Sequence, residues 1–167
     1  MLFRSLSALT TTAIRALAAS TVAALTSTTL DAIDTTVLSA LTTTQVAALS
    51  STAVAGLGSA QLAAFSTSQI GVLSSAAVAA MTTTELAELA TTQFAALATT
   101  QIASLTSTEL AGLSDTRLAA LTTTQTAALT TTALTGLTTT QIADLTTSEI
   151  AALTDRKSTR LNSSHLV

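Results

Sequence analysis

Residues 41–49, LTTTQVAAL, decide the fold, because close copies of this stretch fill the chain. Two apolar positions recur every eight residues. One is aligned with Leu49 and runs from Leu9 to Leu153, and the other is aligned with Val46 and has Thr126 as its one polar exception. Nineteen octads therefore follow one another from residue 2 to residue 153 without an insertion. An unbroken short period is typical of a solenoid, in which no single unit buries its own apolar face.

A single straight helix does not fit this period. Eight residues turn a helix by about 800°, so the apolar stripe drifts by about 80° with each octad and points in every direction. A β-solenoid fits less well than short helices, since Val46 and Leu49 are three residues apart and a plain strand sends them to opposite faces. The alanine pair between them also has poor strand propensity. A bend within the octad would restore the faces, so the β-solenoid stays open as an alternative.

Each octad has the pattern of a helix start. With Thr42 as the N-cap, residues 42–45 form a capping box, in which the side chains of Thr42 and Gln45 each accept a hydrogen bond from the other's backbone N–H. Leu41 and Val46 then occupy the N′ and N4 positions of a hydrophobic staple. Among the eighteen octads of residues 10–153, fourteen have Ser, Thr or Asp at the cap and ten have Gln or Glu at N3.

The sequence therefore predicts an all-α solenoid of very short capped helices, one per octad, over residues 1–154. A helix of about six residues is only about 9 Å long and does not persist alone in water, so successive coils must stack. We expect the side chains of the Val46 and Leu49 rows to point inward and the alanine pairs to allow close approach. We expect about three octads per coil, because a wider polygon leaves a lumen that these side chains do not fill.

Composition excludes several classes of protein. Only 9% of the 167 residues are charged, and Pro, Cys, Trp and Tyr are absent. The mean hydropathy is +0.60, yet the apolar runs are short, and a membrane-spanning helix needs about 18 consecutive apolar residues. We therefore predict no transmembrane segment. Without cysteine the chain has neither a disulfide framework nor a thiolate metal site.

Groups suited to catalysis are scarce. The one histidine, His165, lies beyond the repeats, so nucleophile systems that depend on histidine and most zinc sites are excluded. Glu85 and Glu88 share a helix face, but no base, aromatic residue or glycine loop accompanies them, and we interpret them as a solvated face. The sequence predicts no enzyme activity, no cofactor and no metal site.

Two kinds of exception within the octads are interpreted as structural. Gly56, Gly112 and Gly136 replace the second alanine, which indicates tight helix contacts or a C-terminal turn instead of phosphate loops. Thr126 replaces an apolar residue, and we expect its hydroxyl to bond the preceding turn as a valine-like isostere.

The threonines that follow the caps are the candidate binding surface. We expect them to repeat along one edge of the solenoid, where they serve as helix-start residues or form a weakly polar plane. This composition resembles threonine-rich ice-binding proteins, which implies an alternative function as a binder of ice or a similar ordered surface. The candidate residues are Thr43, Thr44, Thr83, Thr84, Thr123, Thr124, Thr139 and Thr140.

The two ends of the sequence differ from each other. The first twenty residues, MLFRSLSALTTTAIRALAAS, contain two arginines and no acid, as a targeting segment does, but they keep the octad phase, so we interpret them as a first repeat. Residues 155–165, DRKSTRLNSSH, resemble the translation of a short-read sequencing adapter, which implies that residues 155–167 are an artefactual or disordered tail. Without them the repeats carry three arginines against eight acids, a net charge of −5, which argues against nucleic-acid binding.

Two family resemblances concern the octad itself. LTTTQVAAL is similar to the opening helix of the repeats in TAL-effector DNA-binding proteins, but their longer period, base-reading dipeptide and basic character are missing, so DNA recognition does not carry over. Residues 2–153 resemble the Thr/Ala/Leu-rich octapeptide-repeat segments of uncharacterised or adhesin-like bacterial proteins. This resemblance implies a non-catalytic structural or interaction scaffold, within a larger cell-surface or secreted protein, whose partners are other proteins or further copies of itself.

Overall fold

The structure, a computed structural model, describes residues 9–154, so the expectations for the first eight residues and for residues 155–167 lie outside it. Every regular element of the described residues is a short helix, and no strand occurs among them, which confirms the all-α prediction over the β-solenoid. An eighteenth helix, α18, covers 147–154. The others are α1 Thr11–Arg15, α2 Ala19–Ala23, α3 Ser27–Asp31, α4 Thr35–Ser39, α5 Thr43–Ala47, α6 Ser51–Val54, α7 Ser59–Ala64, α8 Thr67–Gly71, α9 Ser75–Val78, α10 Thr83–Glu88, α11 Thr91–Ala95, α12 Thr99–Ile102, α13 Ser107–Ala111, α14 Asp115–Leu118, α15 Thr123–Ala128, α16 Thr131–Leu134 and α17 Thr139–Ala143.

Helix α5 shows why each octad makes one helix. Thr42 is extended, with φ −73° and ψ 158°, and its hydroxyl accepts a hydrogen bond from the Gln45 N–H at 3.2 Å. The Gln45 side chain accepts from the Thr42 N–H at 2.9 Å, so the predicted capping box is present. The helix ends at Ala47 with Ala48 as its C-cap, and Leu49 donates its N–H to the Val46 carbonyl at 3.1 Å before the chain turns at the next cap, Ser50. The cap therefore starts the helix and also redirects the chain.

The helices stack in threes. Helix α1 packs on α4, α2 on α5 and α3 on α6, and the same step of three helices recurs to the pair α13 and α16. One coil therefore contains three octads, or 24 residues, as predicted. The three stacks defined by these contacts start with α1, α2 and α3.

The apolar rows form one continuous core. Most members of the Val46 row from Ile14 to Leu110 have no exposed surface, and the Leu49 row is almost as deeply buried from Leu25 to Leu129. Burial of each such side chain contributes roughly 1.5–3 kcal/mol, and each octad supplies two of them against the entropy of ordering eight residues. Thr126 is 1% exposed, and its hydroxyl donates to the Thr122 carbonyl at 3.1 Å, which confirms its interpretation as a valine-like residue.

The small residues near the helix ends allow the coils to approach each other. A Cβ atom added to Gly56 would overlap the Cβ atom of Ser27, and one added to Gly136 would overlap the Ser107 carbonyl group. At Gly112 the nearest atom would be the Thr83 Cβ at 3.4 Å, an ordinary contact. No described glycine has a positive φ. Gly56 and Gly136 are therefore required for close packing, as predicted, whereas Gly112 has room for a methyl group.

Candidate functional site

The glutamine at the N3 position makes hydrogen bonds in two coils. The Gln45 Oε1 atom closes the capping box of α5, while its Nε2 atom donates to the carbonyls of Ile14 and Leu17, each at 2.8 Å. Only 3% of Gln45 is exposed, so these bonds are made away from water. The last carbonyls of a helix lack partners within that helix and need external donors. Gln45 thus caps the start of its own helix and the end of α1 in the preceding coil.

All seven N3 glutamines repeat this arrangement. Each Oε1 accepts from the N-cap N–H of its own helix, and each Nε2 donates to carbonyls 28–31 residues earlier in the chain. None is more than 7% exposed. The sequence predicted the first bond, whereas the second went unnoticed because it depends on the coil length. The seven are Gln45, Gln61, Gln69, Gln93, Gln101, Gln125 and Gln141.

Glutamine matters most where the cap has no hydroxyl. Gly58, Ala90 and Ala98 make no side-chain cap, and in each of these octads the glutamine Oε1 accepts the N-cap N–H. Both the box and the link between coils then depend on one amide. In these octads the glutamine supplies the side-chain bond of the cap, whereas the N-cap of α2 is Ala18, with neither a cap hydroxyl nor a glutamine.

Other residue types at N3 keep only part of this bonding. The Glu109 carboxylate accepts from the Thr106 N–H at 2.6 Å, but a carboxylate has no N–H to donate to the preceding coil. Arg117 donates from Nη2 to the Leu89 carbonyl, 28 residues earlier, at 2.7 Å, but it cannot accept a hydrogen bond. Its Nε atom is buried without a hydrogen-bond partner among the described residues. Among the long side chains found at N3, which are Gln, Glu and Arg, only the glutamine amide carries a donor and an acceptor together, which explains why glutamine predominates.

The acidic groups of the described residues lie at helix starts or on the surface. Glu85 accepts from the Thr82 N–H at 2.6 Å as the box residue of α10, and Glu88 is exposed. Asp34 is fully exposed, and the hydrogen bond from the Thr36 N–H lowers the pKa of its carboxyl group below the usual value of 3.8. Within residues 9–154 no group of three or more His, Cys, Asp or Glu side chains is arranged to hold a metal ion.

The threonines proposed as a binding surface lie at the starts of four helices, namely α5, α10, α15 and α17. Helices α5, α10 and α15 belong to three different stacks, since only helices three apart pack on each other. Helix α17 lies in the same stack as α5, because Gln141 bonds the Leu113 carbonyl as Gln45 bonds that of Leu17. Seven of these eight threonines are exposed and Thr83 is half-buried. The eight threonines therefore do not lie along one line on the surface of the solenoid. Residues that do lie along one such line are 24 residues apart in the sequence.

One shallow groove lies near the first coil. It has a volume of about 500 Å³ and is lined by Thr11, Thr12, Arg15, Thr36, Ser39 and Ala40. The Arg15 Nε atom donates to the Ala40 carbonyl at 2.9 Å, so this arginine links two helices of neighbouring coils. The groove therefore follows from the packing of α1 on α4.

Comparison with known proteins identifies a repeat family. A family model described as the ALTTAQ repeat matches residues 54–83, a segment that runs from the end of α6 to the start of α10. That segment contains three complete octads, in agreement with the repeat found in the sequence. No curated protein and no solved structure matches the chain. In the described part of the chain, no helix has the length and apolar character needed to cross a membrane.

Proposed function

We propose that the chain is a non-catalytic scaffold, whose stacked octads hold an outer surface for binding other proteins or further copies of the repeat. The observation that supports this proposal concerns the hydrogen bonds of the buried polar side chains. Each polar side chain buried in residues 9–154 is bonded to its own helix start, its own helix or the preceding coil. Among the described residues the Arg117 Nε is the one buried side-chain nitrogen or oxygen without a partner, and no buried acid or nucleophile is left over for a reaction.

The wider biological setting is also proposed. The resemblance of residues 2–153 to octapeptide segments of adhesin-like bacterial proteins supports a role within a larger protein at the cell surface or outside the cell. A repeat of equivalent units suits such a role, because each unit makes the same contacts with its neighbours. The length of the solenoid can therefore change by whole units.

Deletion variants test the scaffold. Removing the octad 66–73 leaves both apolar rows and all later caps in phase, so we expect a helical circular-dichroism spectrum and cooperative unfolding as in the full chain. Removing only residues 66–69 shifts every later octad by half a unit and should abolish cooperative unfolding of that part. A folded half-octad variant, or an unfolded octad variant, would contradict a scaffold of interchangeable units.

The proposed absence of catalysis is tested separately. Glu85 and Glu88 are the two carboxylates of helix α10. Purified chain should show no turnover of generic ester, phosphoester or glycoside substrates. Turnover that disappears in a Glu85→Gln, Glu88→Gln double variant would show catalysis and refute this part of the proposal.

A second candidate is binding of an ordered surface such as ice. The observation that favours it is the row of exposed hydroxyls at the helix starts of one stack, where successive pairs are 24 residues apart. The row comprises Thr43, Thr44, Thr67, Ser68, Thr91, Thr92, Thr139 and Thr140, with Asp115 and Thr116 as its one acidic interruption. Inhibition of ice recrystallisation should then be lost in a Thr43→Lys, Thr67→Lys, Thr91→Lys variant. It should persist when Thr28, Thr52 and Thr100 of another stack are changed to lysine. Equal activity in both variants would exclude this row as the binding surface.

A further inference from the structure

The N3 side chains of the stack that starts with α2 join every pair of successive coils in the described residues. From α5 to α17, each of them donates to the carbonyl of the Leu49-row residue that lies 28 residues earlier, at 2.6–2.8 Å. These bonds lie along one edge of the solenoid, where the chain passes from the first helix of a coil to the second. We refer to this edge as the seam, and its residues are Gln45, Gln69, Gln93, Arg117 and Gln141.

The other two edges of the solenoid lack such a continuous row of bonds. In the stack that starts with α1, only Gln61 carries a donor among the N3 residues Val37, Gln61, Glu85, Glu109 and Ala133. In the stack that starts with α3, Gln101 and Gln125 carry donors, whereas Ala53, Ala77 and Glu149 do not.

Two further side chains bond between coils, but neither bond recurs. Arg15 donates to the Ala40 carbonyl, whereas Ser39, its equivalent in the next coil, donates to a carbonyl of its own helix. Ser104 donates to the Ser75 carbonyl, and its equivalent in the next coil is Ala128. Within the described residues, the seam is therefore the edge at which side-chain bonds join each coil to the one before.

The residues that replace glutamine differ between the seam and the other edges. At the seam, Arg117 keeps the donor to the preceding coil, although it loses the box acceptor and leaves its Nε buried without a partner among the described residues. At the other edges, Glu85, Glu109 and Glu149 keep the box acceptor and lose the donor. The bond between coils is thus kept at the seam, and the helix cap is kept elsewhere.

This difference determines where the spacing between coils can change. Hydrogen bonds hold their donor and acceptor within a narrow range of distance and angle. Apolar packing is non-directional and sets no such range for the edges where amides are missing. A solenoid with one edge of fixed length bends about that edge.

We propose that the seam is a hinge, about which the solenoid bends while the coil spacing changes at the other two edges. The α3 stack lies opposite the seam, so its outer surface changes its curvature most. The helix starts of the α2 stack, including Thr43 and Thr67, lie beside the seam and keep a constant spacing. The proposal goes beyond the scaffold function, because it assigns a direction of bending and the residues that set it.

Spin labels measure the spacing of coils at each edge. The chain has no cysteine, so two introduced cysteines can be labelled specifically and their separation measured by double electron–electron resonance. We use exposed threonines at the helix starts, in pairs that span three coils within one stack. The seam pair is Thr44→Cys with Thr116→Cys, the α1-stack pair is Thr36→Cys with Thr108→Cys, and the α3-stack pair is Thr52→Cys with Thr124→Cys. We expect the distance distributions of the last two pairs to be about twofold wider than that of the seam pair.

Two matched variants separate the seam from the other glutamines. Gln69→Glu with Gln93→Glu removes two donors from the seam and keeps the box acceptors, so the distribution of the seam pair should widen to that of the other pairs. Gln101→Glu with Gln125→Glu removes two donors from the α3 stack, and the seam pair should keep its width. Equal widths of the three pairs in the unmodified chain would overturn the proposal, as would equal widening of the seam pair in both variants.

A third variant adds bonds and does not depend on a weakened fold. Glu85→Gln with Glu109→Gln supplies donors to the edge of the α1 stack, and the distribution of the α1-stack pair should narrow to that of the seam pair. This variant decides the matter if the seam variant loses its helical circular-dichroism spectrum. An unchanged width of the α1-stack pair in the folded third variant would overturn the hinge.

Discussion

Replacement of Gln101 by glutamate isolates the donor half of the N3 amide. Gln101 has no exposed surface, and its Nε2 donates to the carbonyls of Ile70 at 3.0 Å and Leu73 at 2.6 Å. A glutamate keeps the acceptor for the Ala98 N–H but places a carboxylate oxygen against two carbonyl oxygens. The Ile70 carbonyl retains the Leu73 N–H as a partner, so one buried acceptor loses its partner completely.

The expected loss of stability follows from the hydrogen bonds that the variant loses. The lost bonds and the unpaired Leu73 carbonyl together lower the free energy of unfolding by about 2–4 kcal/mol at neutral pH. For a chain of this size, that corresponds to a fall in thermal midpoint of roughly 5–15 °C. Circular dichroism at 222 nm and urea titration measure both quantities. Glu88→Gln is a matched control, since Glu88 is exposed and should change stability little.

The same variant has a defined pH dependence. The two carbonyl oxygens favour the protonated carboxyl, which raises its pKa in the folded chain above the unfolded value of about 4.3. The variant should therefore approach the stability of the unmodified chain below the unfolded pKa, because a protonated carboxyl can donate, and should lose stability as the pH rises through the folded pKa. A Gln101→Glu chain that is as stable as the original at pH 7 would refute the link between coils.

Four further predictions concern single positions. Arg117→Gln should raise the free energy of unfolding by about 1–3 kcal/mol in urea titration, because it restores the box acceptor and removes a buried unpaired nitrogen. Gly136→Ala should lower it by about 1–3 kcal/mol through overlap with the preceding coil. Gly112→Ala should raise it by about 0.4–1 kcal/mol through lower entropy of the unfolded chain. Equal effects at the two glycines would contradict the difference in the space around them. Asp34→Ala should lower the thermal midpoint above the unfolded carboxyl pKa of about 3.9, and the loss should shrink as the pH falls through the lowered folded pKa. Asp34→Asn, which keeps a cap at every pH, is the control.

The helices, their caps and the number of octads per coil could all be predicted because each depends on a local rule. The capping box and staple concern residues within one octad, and the period of eight sets their phase. The width of the coil follows from the volume of two apolar side chains per octad. The structural roles of Thr126 and Gly136 were predictable for the same reason. Each replaces the usual residue at an octad position whose packing is already known from the other octads.

The second bond of the N3 glutamines was missed because it joins residues 28–31 apart, and no local rule contains that distance. A signal was nevertheless present. A capping box accepts Gln or Glu, and the positive end of the helix dipole favours the acid. The octads instead contain seven glutamines and three glutamates at N3. The preference for glutamine indicates that the side-chain N–H group is used as a hydrogen-bond donor. The acceptor of that bond must lie outside the helix.

The direction of these bonds also explains why the stack has unlike ends. Every N3 amide reaches back to an earlier coil, so each coil depends on the next one to cap its carbonyls and cover its Val46-row side chains. In the first coil of the described residues the N3 residues are short, as at Ala13, and in their last coil Ile142 is 51% exposed. Coils added after Ile142 should therefore stabilise the preceding coil, and coils removed there should destabilise it. The same direction means that an added octad needs an amide at N3 as well as an apolar side chain at N4.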